Sequence, residues 1–208
     1  MFLRHAAAVS AIVVAALPGA AWAITPAYEF DDYQTATEPR PFTLGFEFRV
    51  SGSTLVDAFG YTDIGFVGTQ TVGLWDAAGT LLNVVEISPT DTLIGHFHWV
   101  DIAPLTLAAG TYRIAGTYSR TVNPYALTNV VSAPGYTWVT DYQTFGEGLN
   151  YPTLSTGGAY GQNGLSIVNL SLQVSGNGVP EPATWAMMIG GFGLAGGSLR
   201  RRSAVAVA

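Results

Sequence analysis

The stretch FTLGFEFRV, Phe42 to Val50, sets an apolar side chain at every second position: Phe42, Leu44, Phe46 and Phe48. In an extended strand successive side chains point to opposite faces, so these four share one face and require a second layer to cover it. Short segments rich in Val, Ile, Thr, Tyr and Phe then recur about every eight to twelve residues between Gly, Pro, Asn and Asp breakers. The expected strands are 42–50, 55–61, 69–75, 81–87, 97–102, 112–118, 136–141 and 167–174. No long amphipathic helix interrupts them between residues 28 and 174. Asp76-Ala77-Ala78-Gly79-Thr80 reads as a hairpin turn between two of these strands, with Gly79 able to take positive φ. The fold class that follows is all-β, an antiparallel, jelly-roll-like β-sandwich.

The two ends of the chain read differently. Residues 1–5 carry the positive charge of Arg4, residues 6–17 are apolar, and Pro18-Gly19 precedes Ala21-Trp22-Ala23. These are the three regions of a secretory signal peptide, with Ala21 and Ala23 the small residues a signal peptidase reads and Ile24 the first residue after cleavage. The apolar run is too short for a spanning helix, which needs roughly 17 to 25 residues. At the other end, residues 183–199 contain no charged side chain. At about 1.5 Å per residue, a helix of that length reaches roughly 25 Å, slightly short of a hydrocarbon core of about 30 Å. Arg200, Arg201 and Arg202 would stay on the cytoplasmic side, leaving Pro180-Glu181-Pro182 and the preceding domain outside. The chain thus divides into a signal peptide (1–23), a sandwich domain (24–174), a flexible Ser-Gly-Asn-Gly linker (175–179) and a C-terminal tail (180–208).

The tail VPEPATWAMMIGGFGLAGGSLRRR resembles the PEPxxWA subtype of the PEP-CTERM sorting signal of Gram-negative bacteria. Pro180, Glu181, Pro182, Trp185, Ala186, Gly191, Phe192, Gly193 and Arg200 to Arg202 carry the likeness. The resemblance implies that the transmembrane anchor is transient, cut near Pro-Glu-Pro by a membrane-embedded exosortase. It further implies a link to biofilm and exopolysaccharide production, and delivery from the inner membrane to the cell surface or extracellular matrix. The alternative is a permanent anchor that dimerises through Gly193 and Gly197.

Composition narrows the function of the domain. Residues 24–179 hold four arginines, no lysine and thirteen acidic residues, a formal charge of −9. Such a surface repels phosphate backbones, which excludes nucleic acid as a partner. With no cysteine, disulfides and thiol catalysis are excluded, and the core of about 156 residues must hold the domain alone.

The segments LGFEFRVSGSTLVDAFGYTD, QTVGLWDAAGTLLNVVEIS and LTLAAGTYRIAGTYS also resemble a β-sandwich module of secreted bacterial proteins, over roughly residues 42–119. Val72-Gly73-Leu74-Trp75-Asp76, Gly79, Leu81-Leu82 and Ala109-Gly110-Thr111-Tyr112 carry that likeness, which brings no established activity with it.

Chemistry must then be sought residue by residue. His96 and His98 are spaced to share one face of a strand and could share a metal, but a zinc site needs a third ligand, for which only Asp91 or Asp101 offer themselves. The opposing reading sets both on an exposed face, with Phe97 and Trp99 turned to the core. Asp57, Asp63 and Asp76 lie in oxygen-rich stretches suited to calcium, the one cofactor the sequence suggests. No GxSxG occurs, and Glu47, Glu86 and Glu147 are the interior candidates for a glycosidase carboxylate pair. Sugar binding needs exposed aromatic faces beside amides and carboxylates. Tyr136, Trp138, Tyr142, Phe145, Tyr151 and Tyr160 offer these, interleaved with Asp141, Gln143, Asn150, Gln162 and Asn163. The expectation is a noncatalytic exported envelope or matrix protein that binds exopolysaccharide. The alternatives are a glycan-active or metal-dependent hydrolase and a purely structural surface protein.

Overall fold

The computed structural model describes residues 23–118, 122–157 and 167–174. Among them there are fourteen strands and no helix. These are β1 (Tyr28–Glu29), β2 (Asp32–Ala36), β3 (Phe42–Val50), β4 (Thr54–Thr62), β5 (Gln70–Asp76), β6 (Leu81–Ile87), β7 (Thr92–Ile94), β8 (Phe97–Leu107), β9 (Gly110–Thr117), β10 (Asn123–Thr128), β11 (Val131–Ser132), β12 (Tyr136–Phe145), β13 (Leu154–Ser155) and β14 (Val168–Val174). Every strand pairing is antiparallel. The larger sheet runs β13-β12-β3-β9-β5-β6 and the smaller β14-β4-β8-β7, with two-stranded pairs β1-β11 and β2-β10 beside them. The two expected helices, 1–23 and 183–199, lie outside the described residues.

Alternation in β3 does what the sequence implies. Phe42, Leu44, Phe46, Phe48 and Val50 are all buried, and Tyr112 and Ile114 of β9 and Tyr136 of β12 are buried beside them at opposed positions. The sheets meet across this layer: a Cβ on Gly116 of β9 would lie 2.8 Å from Val168 Cγ1 and 3.1 Å from the Tyr61 ring, so glycine is what permits the approach. Tyr28 fills the layer as well. Its ring stands edge-on to Phe46, Phe97 and Trp138, and its hydroxyl donates to the Val168 carbonyl at 2.6 Å. Burial of one such ring contributes about 1.5–3 kcal/mol.

Three features depart from the expected strands. β8 continues past Ile102 to Leu107 although Pro104 has no N–H to give. The ladder jumps from Ala58↔Asp101 to Val56↔Leu105, so residues 102–104 stand outside it and the proline costs no hydrogen bond. β12 runs on to Phe145, with Val139 bulged out of its pairing with β3. The short strands β1, β2, β7, β10, β11 and β13 were not expected, since runs of two to six residues carry no readable period. The N-terminal segment also adds to the edge of β14, through Leu172 N–H to the Thr25 carbonyl and Ala27 N–H to the Leu170 carbonyl, both at 2.8 Å.

Candidate functional site

On the outer face of the larger sheet, β3, β9, β5 and β12 bring Glu47, Arg113, Trp75 and Tyr142 together. Arg113 Nε donates to Glu47 Oε2 at 2.9 Å and Nη1 to the Pro152 carbonyl at 2.8 Å. The guanidinium lies 3.6 Å from the centre of the Tyr142 ring and 5.0 Å from that of Tyr151, and Tyr151 meets Trp75 edge-on. The Thr43 hydroxyl donates to the Gly148 carbonyl and accepts from Asn150 N–H, so the chain between β12 and β13 is tied flat over the sheet. That is why Thr43 and Gly45, on the face opposite the core, are buried too. Glu47, one of the three glutamates considered for a glycosidase pair, is ion-paired to Arg113 through Oε2.

The two histidines do not face one another. His96 precedes β8, its ring stacked on Phe30 at 4.4 Å and its Nδ1 3.9 Å from Glu29 Oε2, beyond hydrogen-bond reach. Burial pushes the Glu29 carboxyl above its ordinary range, against the opposing pull of His96. His98 is 5 % exposed, not on an open face. Its Nε2 lies 2.8 Å from Asp63 Oδ1 and its Nδ1 3.0 Å from the Asp91 carbonyl oxygen. Both partners are acceptors, so the ring joins the turn after β4 to the turn before β7. Phe97 and Trp99 are buried.

The aspartates named for calcium are likewise held apart. Asp63 belongs to His98. Asp76 Oδ1 accepts from Ala78 N–H and Thr80 N–H, closing the hairpin in which Gly79 takes a φ of 85°, and these bonds pull its carboxyl below the ordinary range. Asp57 is the bulged residue of β4, buried, with neither carboxylate oxygen hydrogen-bonded among the described residues. Among the described residues no three His, Cys, Asp or Glu side chains come together as a metal-binding group.

The late aromatics divide among three surroundings. Tyr136 and Trp138 face the core: Trp138 stacks on Phe46 at 3.9 Å, and burial, with Tyr28 and Asp141 nearby, pushes the Tyr136 phenol well above its ordinary value. Tyr142 and Tyr151 hold Arg113. Phe145, 42 % exposed, stands at the end of β12 beside a pocket of about 130 Å³ that Glu38, Arg40, Phe42, Asn123 and Gln143 help to line. Tyr160, Gln162 and Asn163 lie outside the described residues.

Residues 178–202 match the family model of the PEP-CTERM protein-sorting motif. The chain carries this export signal. A PEP-CTERM motif marks an exported protein that is held briefly at a membrane, processed by an exosortase and released to the cell surface. Its residues Pro180 to Arg202 lie outside the described part, and among the described residues no helix is long and apolar enough to cross a membrane. No curated protein and no solved structure matches the chain.

Sequence reasoning missed Glu38, Arg40 and Asn123 as neighbours of Phe145. Glu38-Pro39-Arg40 held a local signal, since two residues apart in extended chain suffice for the bidentate pair seen here, Nε to Oε1 at 2.8 Å and Nη2 to Oε2 at 3.0 Å. Asn123 gave none, because its place beside Gln143 depends on the pairing of β10 with β2.

Proposed function

We propose that this PEP-CTERM protein is a noncatalytic, exopolysaccharide-binding component of the envelope or biofilm matrix of a Gram-negative bacterium. It passes a translocon and signal peptidase on its way out and works without a cofactor. The observation that carries the reading is how the domain uses its polar groups. Glu47, Asp63, Asp76 and His98 are each engaged in holding strands and turns, while Phe145 stays 42 % exposed beside a pocket that Asn123 and Gln143 help to line. The first group leaves those side chains scaffolding roles; the second is the pairing of apolar ring and amide that sugar recognition requires.

One exposed ring gives weak binding, on the order of 1 mM to 10 μM, which many copies in a matrix would strengthen. The test is titration of the exported protein against neutral exopolysaccharide fractions, with reducing-end release followed in parallel. Saturable binding without release of reducing ends is expected. Absence of saturable binding would replace this reading with a purely structural surface role, and release of sugar would make the protein a hydrolase.

A further inference from the structure

We propose that the pocket beside Phe145 is the site itself and that it takes a single neutral sugar ring, an inference that rests on the glycan-binding reading above. Size sets the first limit. Sites for drug-sized ligands run to roughly 300–1,000 Å³, whereas this pocket holds about 130 Å³. A space of that size matches one ring at a chain end or branch, with any further rings left in solvent.

Charge sets the second limit. Arg40 and Glu38 share the wall as a forked pair, so each cancels the other there. The pair brings no net charge to the wall, so neither an anionic nor a cationic sugar gains a Coulombic advantage there over a neutral one.

The third observation is hydrogen-bonding capacity. Half-buried Gln143 and Asn123, which is only 2 % exposed, line the pocket, so Gln143 is the more accessible of the two amides. Each amide brings donors and an acceptor, matching hydroxyls that are both. Phe145 completes the wall: Arg40 lies over one face of its ring, 4.4 Å from the centre, and the 42 % of the residue that stays exposed is what remains for sugar C–H groups.

These groups are also fixed in advance. Phe145 pairs with Phe42 across the β12-β3 ladder, Phe42 stacks on Tyr118 at 4.4 Å, and Asn123 pairs with Ala36 between β10 and β2. Backbone held in paired strands need not be ordered on binding, which lowers what a small contact must offset.

The test uses the isotope-labelled exported protein and NMR titration with the methyl glycosides of glucose, galactose and mannose, alongside methyl glucuronide and glucosamine. At least one neutral glycoside should give saturable shifts at Phe145, Gln143 and Asn123, with a millimolar dissociation constant. Phe145→Ala and Gln143→Ala should each weaken it at least tenfold while keeping the wild-type thermal midpoint, and the charged sugars should bind at least tenfold more weakly than the neutral one. Saturable shifts that map elsewhere, or that survive both substitutions, overturn the pocket and leave polysaccharide binding standing. Equal binding of the glucuronide overturns the neutral class. No response to any glycoside also overturns the site, and the polysaccharide titration then decides the broader reading independently.

Discussion

The guanidinium of Arg113 lies 3.6 Å from the centre of the Tyr142 ring while its Nε donates to Glu47 Oε2 at 2.9 Å. One side chain from β9 thereby joins β3, β12 and the segment that crosses back to β13. Both charged groups are largely buried, at 15 % and 18 % exposure, so solvent screens the pair only weakly.

Arg113→Ala should therefore destabilise the domain by about 2–4 kcal/mol, because it strands the Glu47 carboxylate as well as removing the Pro152 contact. Arg113→Lys should recover less than half of that, since an ammonium can neither fork nor stack as the guanidinium does. Urea denaturation midpoints measure both. A loss below about 0.5 kcal/mol for the alanine variant would reduce the clamp to a surface contact.

Gly45 marks the opposite case, where a side chain cannot be added. A Cβ there would run into the Ile114 carbonyl oxygen and Ala115 on the neighbouring strand. Gly45→Ala should cost several kcal/mol or prevent accumulation of folded protein, because backbone in a paired ladder cannot yield as a flexible side chain can. Gly52→Ala, where a Cβ would have nothing within 4 Å, serves as the control and should change stability little. Thermal unfolding of the two variants separates these outcomes.

Glu29 gives the domain a pH dependence of defined sign. Its folded-state pKa is raised, chiefly by burial, so folding favours the protonated carboxyl. The stability it contributes is fully present below the unfolded-state pKa and is lost as pH rises through the raised folded value. Glu29→Gln carries no such charge. It should be more stable than wild type at neutral pH, with the difference vanishing as pH falls below the ordinary glutamate range. Paired melting curves across acidic to neutral pH test this, and a difference independent of pH would contradict it.

The sandwich was legible in Phe42–Val50 because one amphipathic period of two, repeated between glycine and aspartate breakers, has few other solutions. Leu81–Ile87 was read with the bounds the structure gives it. The site was far less legible. Tyr136, Trp138, Tyr142 and Phe145 sit on one strand and look alike in sequence, yet the Val139 bulge and the strand's two faces send two rings to the core, one to Arg113 and one to the rim. Asp63 and His98, 35 residues apart, meet through a register that no local pattern announces.

The N-terminal segment ties processing to the fold. Thr25 and Ala27 extend the β14 edge, and Ile24 packs against the core. Cleavage after Ala23 leaves all of these in place, so intact-mass measurement of the exported protein should give Ile24 as the first residue. An N-terminus beyond Ala27 would remove this edge and contradict the assignment.

The central claim, that the chain is exported and handed to an exosortase through its PEP-CTERM motif, is tested most directly by replacing Pro180, Glu181 and Pro182 with alanine and following the protein by fractionation and intact mass. The account expects the variant to remain in the membrane fraction with its tail intact while wild type is shortened and released. Normal shortening and release of the variant would contradict it.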